Sequence, residues 1–172
     1  MVPFFRDIAD AVIVAFSTSS SAAVLPVAMR VAEKNLGVSH TVASTTLPLG
    51  ATLSMDGTAL YVALLAVFSA QAFGVDMTVA QFFMVGLVCV IVAVGTAPVP
   101  SASLFMLAAV LQVIGLSAEQ TALVVGFILP FDRILDMTRT VPNATSDLVV
   151  AVTVAKWEGE LDEVAYRAKP VE

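Results

Sequence analysis

The chain has 172 residues, 59% of them apolar and 13% charged, with a net charge of −6, an isoelectric point near 4.6 and a mean hydropathy of +0.95. Soluble domains are about 45–50% apolar and about 25% charged, and a chain this small cannot hide so much apolar surface from water, so lipid is its natural solvent. The acidic balance and the scattered Lys and Arg exclude a nucleic-acid partner, and the single cysteine, Cys89, excludes an internal disulfide and reads as a small buried hydrophobe.

Charges are missing between Asp10 and Arg30, between Asp56 and Asp76, and between Asp76 and Glu119. A spanning helix needs about 20 apolar residues, yet these stretches are interrupted by small and polar groups. The first, about Phe4 to Ala32, is split by Ser17-Thr18-Ser19-Ser20-Ser21. Each half is too short to cross a bilayer, so it reads as a re-entrant hairpin with a serine tip. The second, about His40 to Phe73, is broken at Thr52-Leu53-Ser54-Met55-Asp56-Gly57-Thr58. The third, about Val79 to Ile114, is broken by Gly95 to Ser103 and reads as a second re-entrant hairpin. The fourth, about Thr121 to Ala155, is a long helix carrying several ionisable groups. From Lys156 onward the tail is polar and is expected to be cytoplasmic or disordered. The N-terminus lacks the pattern of a signal peptide, and the chain is expected to begin in the middle of a larger fold.

The expected fold class is therefore an all-α membrane protein. Its expected units are residues 1–38 (first re-entrant hairpin), 39–75 (broken transmembrane helix), 76–118 (second re-entrant hairpin, a gate), 119–156 (polar-faced transmembrane helix) and 157–172 (polar tail). Non-helical backbone at membrane depth is tolerated only where it is buried in protein or lines a cavity. Interrupted hydrophobic segments at corresponding positions point to a transporter binding site.

The last long helix carries the strongest chemical signal. At about 100° per residue, Asp132, Asp136, Arg139, Thr140, Asn143 and Asp147 share an arc of roughly 100°, with Ile134, Val141 and Leu148 opposite. A charge at the bilayer centre costs about 2.5 kcal/mol or more, so such groups face a cavity and pair there. Arg139 offers a planar fork for a carboxylate. Asp136 can accept hydrogen bonds from an ammonium group, Asn143 can donate to a second carboxylate, and Asp147 supplies hard oxygen for a cation. Pro142 lacks an N–H and frees a carbonyl one turn earlier.

The break at Ser54-Met55-Asp56-Gly57-Thr58 exposes backbone carbonyls that can bind sodium, although a helix cap or turn also explains Asp56. The serine tip brings hydroxyls and N–H groups to a helix start, where anions are favoured. Pro98-Val99-Pro100 suits a mobile lid, or a plain turn. No enzyme motif competes: His40 is the only histidine, and phosphate loop, CxxC and HExxH are all missing.

In this order, these residues resemble the dicarboxylate/amino acid:cation symporter family, over about Phe4 to Asp162. The resemblance rests on the serine tip with Leu25-Pro26-Val27, on Leu47-Pro48-Leu49-Gly50-Ala51-Thr52, and on Met55-Asp56-Gly57-Thr58-Ala59-Leu60-Tyr61. It continues through Gly95-Thr96-Ala97 with Val99-Pro100 and ends on Leu135-Asp136-Met137, Arg139-Thr140, Asn143 and Asp147. It implies that Asp136 meets the ammonium of an acidic amino acid and Arg139 its side-chain carboxylate. Asn143 and Thr140 would take the main-chain carboxylate. Asp132 shares their face, and Ser20, Ser21, Thr58 and the Val99 backbone complete the implied substrate site. One implied sodium ion uses Asp147 with backbone oxygens of Gly50, Ser54 and Asn143. A second lies between Thr52, Met55 and the arm before Gly95. A third involves Asp56 and a helix outside this chain.

The sequence departs from the family pattern at Ser54, where Asn is usual, and at Pro98, Ser101 and Ser103, where Gly is usual. Ala144-Thr145-Ser146 stands where Val-x-Gly is usual. Ser19 and Met137 occupy the two places where an arginine is common, while Arg133 and Asp136 are both kept. Asp136 favours an amino acid over a C4-dicarboxylate. The expected function is Na+-coupled symport of aspartate or glutamate by a multi-pass protein of the plasma or bacterial inner membrane, homotrimeric at full length. The alternatives are a non-transporting fragment or pseudo-transporter without its scaffold, and a C4-dicarboxylate symporter.

Overall fold

A computed structural model describes residues 2–168 and 170. Nine helices are formed among them: α1 (Val2–Asp7), α2 (Ala9–Thr18), α3 (Ser21–Lys34), α4 (His40–Leu53), α5 (Asp56–Ala72), α6 (Val79–Val94), α7 (Ala102–Val113), α8 (Ala118–Glu158) and α9 (Glu163–Arg167). Among the described residues there is no strand, and Val38 and Leu161 make an isolated antiparallel bridge. The chain is all-α.

Local chemistry sets the boundaries. Ser20 and Ser39 stand at extended positions before α3 and α4, and their hydroxyls accept from Ala23 N and Val42 N at 3.3 Å each. Thr78 with Gln81, and Ser117 with Gln120, form reciprocal capping boxes that start α6 and α8. These two signatures, Thr-x-x-Gln and Ser-x-x-Gln, are legible in the sequence. The α8 helix runs unbroken for 41 residues despite Pro130 and Pro142. At 1.5 Å per residue it is about 60 Å long.

Two hydrophobic cores form, and α8 belongs to both. The first gathers Ile8, Ala11, Ala15, Val24, Val31, Leu36 and Leu47 from α2–α4 and their connections, and packs them on Ala144, Leu148, Ala151 and Ala155 of α8. The second gathers Val62, Leu65, Val85, Cys89, Leu107 and Leu111 from α5–α7, and packs them on Val124 and Ile128. Residues 132–143 of α8 fall between the two. The same boundary divides α4 from α5, because the helix is interrupted at Ser54–Met55. Burying a side chain such as Leu107 or Leu148, both fully inaccessible, contributes about 1.5–3 kcal/mol.

The outside is unusually apolar. Phe83 and Phe105 are each 78% exposed, and Leu60, Leu64, Ile91, Leu123, Phe127 and Ile134 also face outward. Meanwhile Asp132, Asp136, Arg139 and Asn143 are buried. Apolar patches of this extent mark a surface covered by lipid or protein. Among the described residues one stretch, His40–Ala72, is long and apolar enough to cross a membrane. The apolar helices α2, α6 and α7 are shorter.

Through residue 168 the tail folds back onto the body. Gly159 ends α8 in the left-handed region, and Glu160 N donates to the Ala155 carbonyl at 2.8 Å. Ser39 N then donates to the Glu160 carbonyl and Asp162 N to the Gly37 carbonyl, at 3.2 and 2.8 Å. The Asp162 side chain caps α9. Backbone groups left free by the α3–α4 turn thus draw the tail back onto the body.

Candidate ligand-binding site

The arc predicted on α8 is the buried face of that helix. Asp132, Asp136, Arg139, Thr140, Asn143 and Asp147 are all at most 7% exposed. Four other elements meet this face: the start of α5, the tip between α6 and α7, the tip between α2 and α3, and the end of α4 around Gly50.

The centre is the pair Asp136–Arg139, with Oδ1 and Nη2 2.5 Å apart. The other guanidinium nitrogen, Nη1, donates to Thr58 Oγ1 at 2.6 Å. Asn143 Nδ2 donates to the same hydroxyl at 3.3 Å, and Asn143 Oδ1 accepts from Gly57 N at 2.7 Å. The first turn of α5 is therefore docked on α8 by polar contacts alone. That approach requires Gly57, because a Cβ there would overlap the Arg139 carbonyl. Arg139 Nε and Asp136 Oδ1 have no aligned hydrogen-bond partner although both are buried. The ion pair thus leaves one edge of the guanidinium and one carboxylate oxygen short of their full complement.

Ser101, in the second tip, meets two acids at once. Its N–H donates to Asp136 Oδ2 at 2.9 Å and its hydroxyl to Asp132 Oδ2 at 2.7 Å. Asp132 Oδ1 accepts from Tyr61 OH at 3.0 Å. The two tips touch: Ser20 Oγ donates to the Pro98 carbonyl at 2.8 Å. Arg133, next to Asp132 but exposed, donates to the Ser17 carbonyl at 3.3 Å. The adjacent residues Asp132 and Arg133 thus each hold one tip.

A second cluster lies one to two turns further along α8. Asp147 Oδ1 is buried without a hydrogen-bond partner. Gly50 faces this carboxyl so closely that a Cβ would overlap it. Ser54 and Asp147 line one recess of about 210 Å³, and Ser21 and Asp147 line a small cavity of about 10 Å³. The latter is the size of one water or ion.

The remaining expected residues lie apart or are engaged locally. Thr52 and Asp56 are exposed, with Asp56 in the first turn of α5 after the cap residue Met55. Met55 is buried, and its sulfur accepts from Thr58 Oγ1 at 3.6 Å. The Val99 side chain is exposed, and its N–H donates to the Ala97 carbonyl at 2.8 Å. Thr140 Oγ1 bonds back to the Asp136 carbonyl at 2.8 Å. Among the described residues no three His, Cys, Asp or Glu side chains gather into a metal cluster.

Two residues of the centre, Tyr61 and Ser101, were not among the expected site residues. Tyr61 follows Thr58 by three residues and so shares its helix face, and a buried Tyr hydroxyl needs a partner; that spacing was the available signal. Ser101 carries no such signal, because its position depends on a left-handed backbone (φ 60°).

Comparison with known proteins shows the family of the chain. Residues 1–157 match the sodium:dicarboxylate symporter family. The chain is 40% identical over 156 residues to the proton/sodium-glutamate symport protein of Bacillus subtilis (strain 168), covering 91% of this chain and 35% of that protein. It is 40% identical over 149 residues to the proton/glutamate-aspartate symporter of the same organism, covering 87% and 35%. It is 42% identical over 144 residues to excitatory amino acid transporter 2 of Homo sapiens, covering 84% and 24%. The chain therefore spans about a third or less of the length of these relatives. With nearly its whole length matched and its buried polar face built from the motif residues, the chain belongs to the sodium:dicarboxylate symporter family.

Proposed function

We infer that this chain forms the substrate- and ion-binding core of a cation-coupled symporter for acidic amino acids. The carrying observation is the buried Asp136–Arg139 pair, whose guanidinium keeps an unpartnered Nε. A zwitterionic diacid complements it: Arg139 would take the side-chain carboxylate, Asp136 the ammonium group, and Asn143 with Thr140 the main-chain carboxylate. Thr58, Asp132, Ser20, Ser21 and the Val99 backbone would frame the bound molecule.

The coupling ion in this reading is sodium. A small cation suits Asp147, whose buried Oδ1 has no hydrogen-bond partner and which lines a recess together with Gly50 and Ser54. Gly50, Ser54 and Asn143 would add backbone oxygens there. Thr52 and Met55 would serve a second ion and Asp56 a third, the last completed by a part of the protein beyond this chain.

In the membrane, α2–α3 and α6–α7 would be the two re-entrant hairpins, α4–α5 the broken spanning helix and α8 the polar-faced one. The apolar exterior supports a surround of lipid and of partner protein in a multi-pass, homotrimeric whole. Transport would proceed by alternating access, with the second tip as gate. Arg133 points to the first tip rather than into the centre, and Asp136 is kept, so a C4-dicarboxylate is the poorer fit.

The test is calorimetry of aspartate on the intact protein with and without sodium. Sodium-dependent binding is expected for the natural sequence. Arg139→Ala should abolish it, and aspartate binding at normal affinity by that variant would refute the assignment.

A further inference from the structure

The second tip leaves α6 after Val94 and enters α7 at Ala102, and most of its residues, Gly95, Ala97, Val99 and Pro100 among them, are exposed. Among the described residues, four hydrogen bonds hold it to elements other than its own helices α6 and α7. Two run from the first tip to the Pro98 carbonyl: Ser20 Oγ at 2.8 Å and Ala22 N at 3.4 Å. The other two come from Ser101 and end on buried carboxylates, Asp136 and Asp132. Hydrogen bonds to ionised acceptors are about twice as strong as neutral ones, so Ser101 supplies the stronger half of the attachment.

Its two bonds differ in kind. The N–H takes up Asp136 Oδ2, so an ammonium group that comes to that oxygen competes with it. The hydroxyl on Asp132 does not compete, because Asp132 is held on its other side by Tyr61. Asp132 also needs the hydroxyl, since it is buried and Arg139, the one buried cation among the described residues, is paired with Asp136.

We propose that Ser101 and Asp132 form a latch that stays closed while Asp136 exchanges the Ser101 N–H for the ammonium of a ligand, so that Ser101 is a positioning residue setting how long the ligand stays. The ligand identity rests on the function inferred above; the latch itself rests on the contacts. Ser101→Ala removes the hydroxyl but keeps the Cβ and the backbone conformation.

The experiment is hydrogen–deuterium exchange of the intact protein in lipid nanodiscs, followed on peptides covering residues 95–103. Exchange of the tip is expected to quicken about tenfold in Ser101→Ala and in Asp132→Asn. The double variant should be no faster than the faster single one, because both remove the same bond. Tip exchange within twofold of the natural rate in Ser101→Ala, or multiplied effects in the double variant, would overturn the latch. Unchanged exchange in α3 and α4 reports an intact fold. If Ser101→Ala loses that protection, Ser101→Cys, with its weaker donor, should give a smaller acceleration of the tip alone, and no acceleration there overturns the proposal.

A second arm adds aspartate and sodium. They should slow tip exchange in the natural protein, and aspartate should dissociate about tenfold faster from Ser101→Ala. If aspartate slows nothing while Ser101→Ala still quickens the tip, the latch stands and the acidic amino acid reading falls. If aspartate protects the tip and Ser101→Ala changes neither exchange nor dissociation, the reading stands and the latch falls.

Discussion

Asp136 and Arg139, one turn apart on α8, face each other at 2.5 Å with side chains 0% and 6% exposed, yet each keeps one polar atom without an aligned partner. A buried ion pair of this kind contributes little net stability, because desolvation offsets the attraction. Its arrangement makes sense as a receptor for a further charged molecule.

Removing one member exposes that balance. Arg139→Ala leaves Asp136 and Asp132 buried beside one another without their cation, which costs about 3–5 kcal/mol. The variant is expected to melt well below the natural protein and to bind no aspartate. Thermal unfolding followed by circular dichroism and aspartate calorimetry read the two effects separately.

Gly57→Ala tests the docking of α5 on α8. The added Cβ overlaps the Arg139 carbonyl, so α5 must shift and the Gly57 N to Asn143 Oδ1 bond of 2.7 Å must lengthen. Overpacking costs about 1–3 kcal/mol. Aspartate affinity is expected to fall at least tenfold, with helix content unchanged. An unaltered affinity would show that the close approach is incidental.

Asp147→Asn replaces an anionic oxygen by a neutral one in the cavity shared with Ser21. Losing a charge-assisted contact is worth about 1.5–3 kcal/mol. The sodium concentration for half-maximal aspartate binding is expected to rise about tenfold or more, while binding at saturating sodium persists. A sodium titration of aspartate binding that superimposes on the natural one would remove Asp147 from the ion site.

Gly37→Ala addresses the docked tail. Gly37 has φ 65°, and a Cβ there would overlap the Asp162 carbonyl. Strain of this kind costs about 1–3 kcal/mol. Amide exchange at Ser39 and Asp162 should quicken, while aspartate affinity stays within twofold. Loss of affinity in this variant would mean that the tail supports the site at a distance.

Much of this was legible in the sequence for physical reasons. The interruptions of apolar runs by Ser17–Ser21, Thr52–Thr58 and Gly95–Ser103 each contain helix ends, because small and polar residues satisfy backbone groups where helices stop. The α8 arc was readable because helical periodicity alone decides which side chains share a face. Other features depended on tertiary placement. The double role of Ser101 rests on a positive φ and on a partner 31 residues away. The docked tail rests on carbonyls and N–H groups of Gly37, Ser39 and Glu160, which carry no side-chain signature. The outward turn of Asp56 followed from the cap falling on Met55 instead.

The two cores touch different ends of one helix and are separated by a polar layer at the height where α4 gives way to α5. Across that layer they are joined by the backbone of α8 and by charges and hydrogen bonds. Whatever fills the layer therefore sets how firmly the upper and lower bodies move as one. Occupancy of the site should be readable as a sharpening of two overlapping melting steps into one.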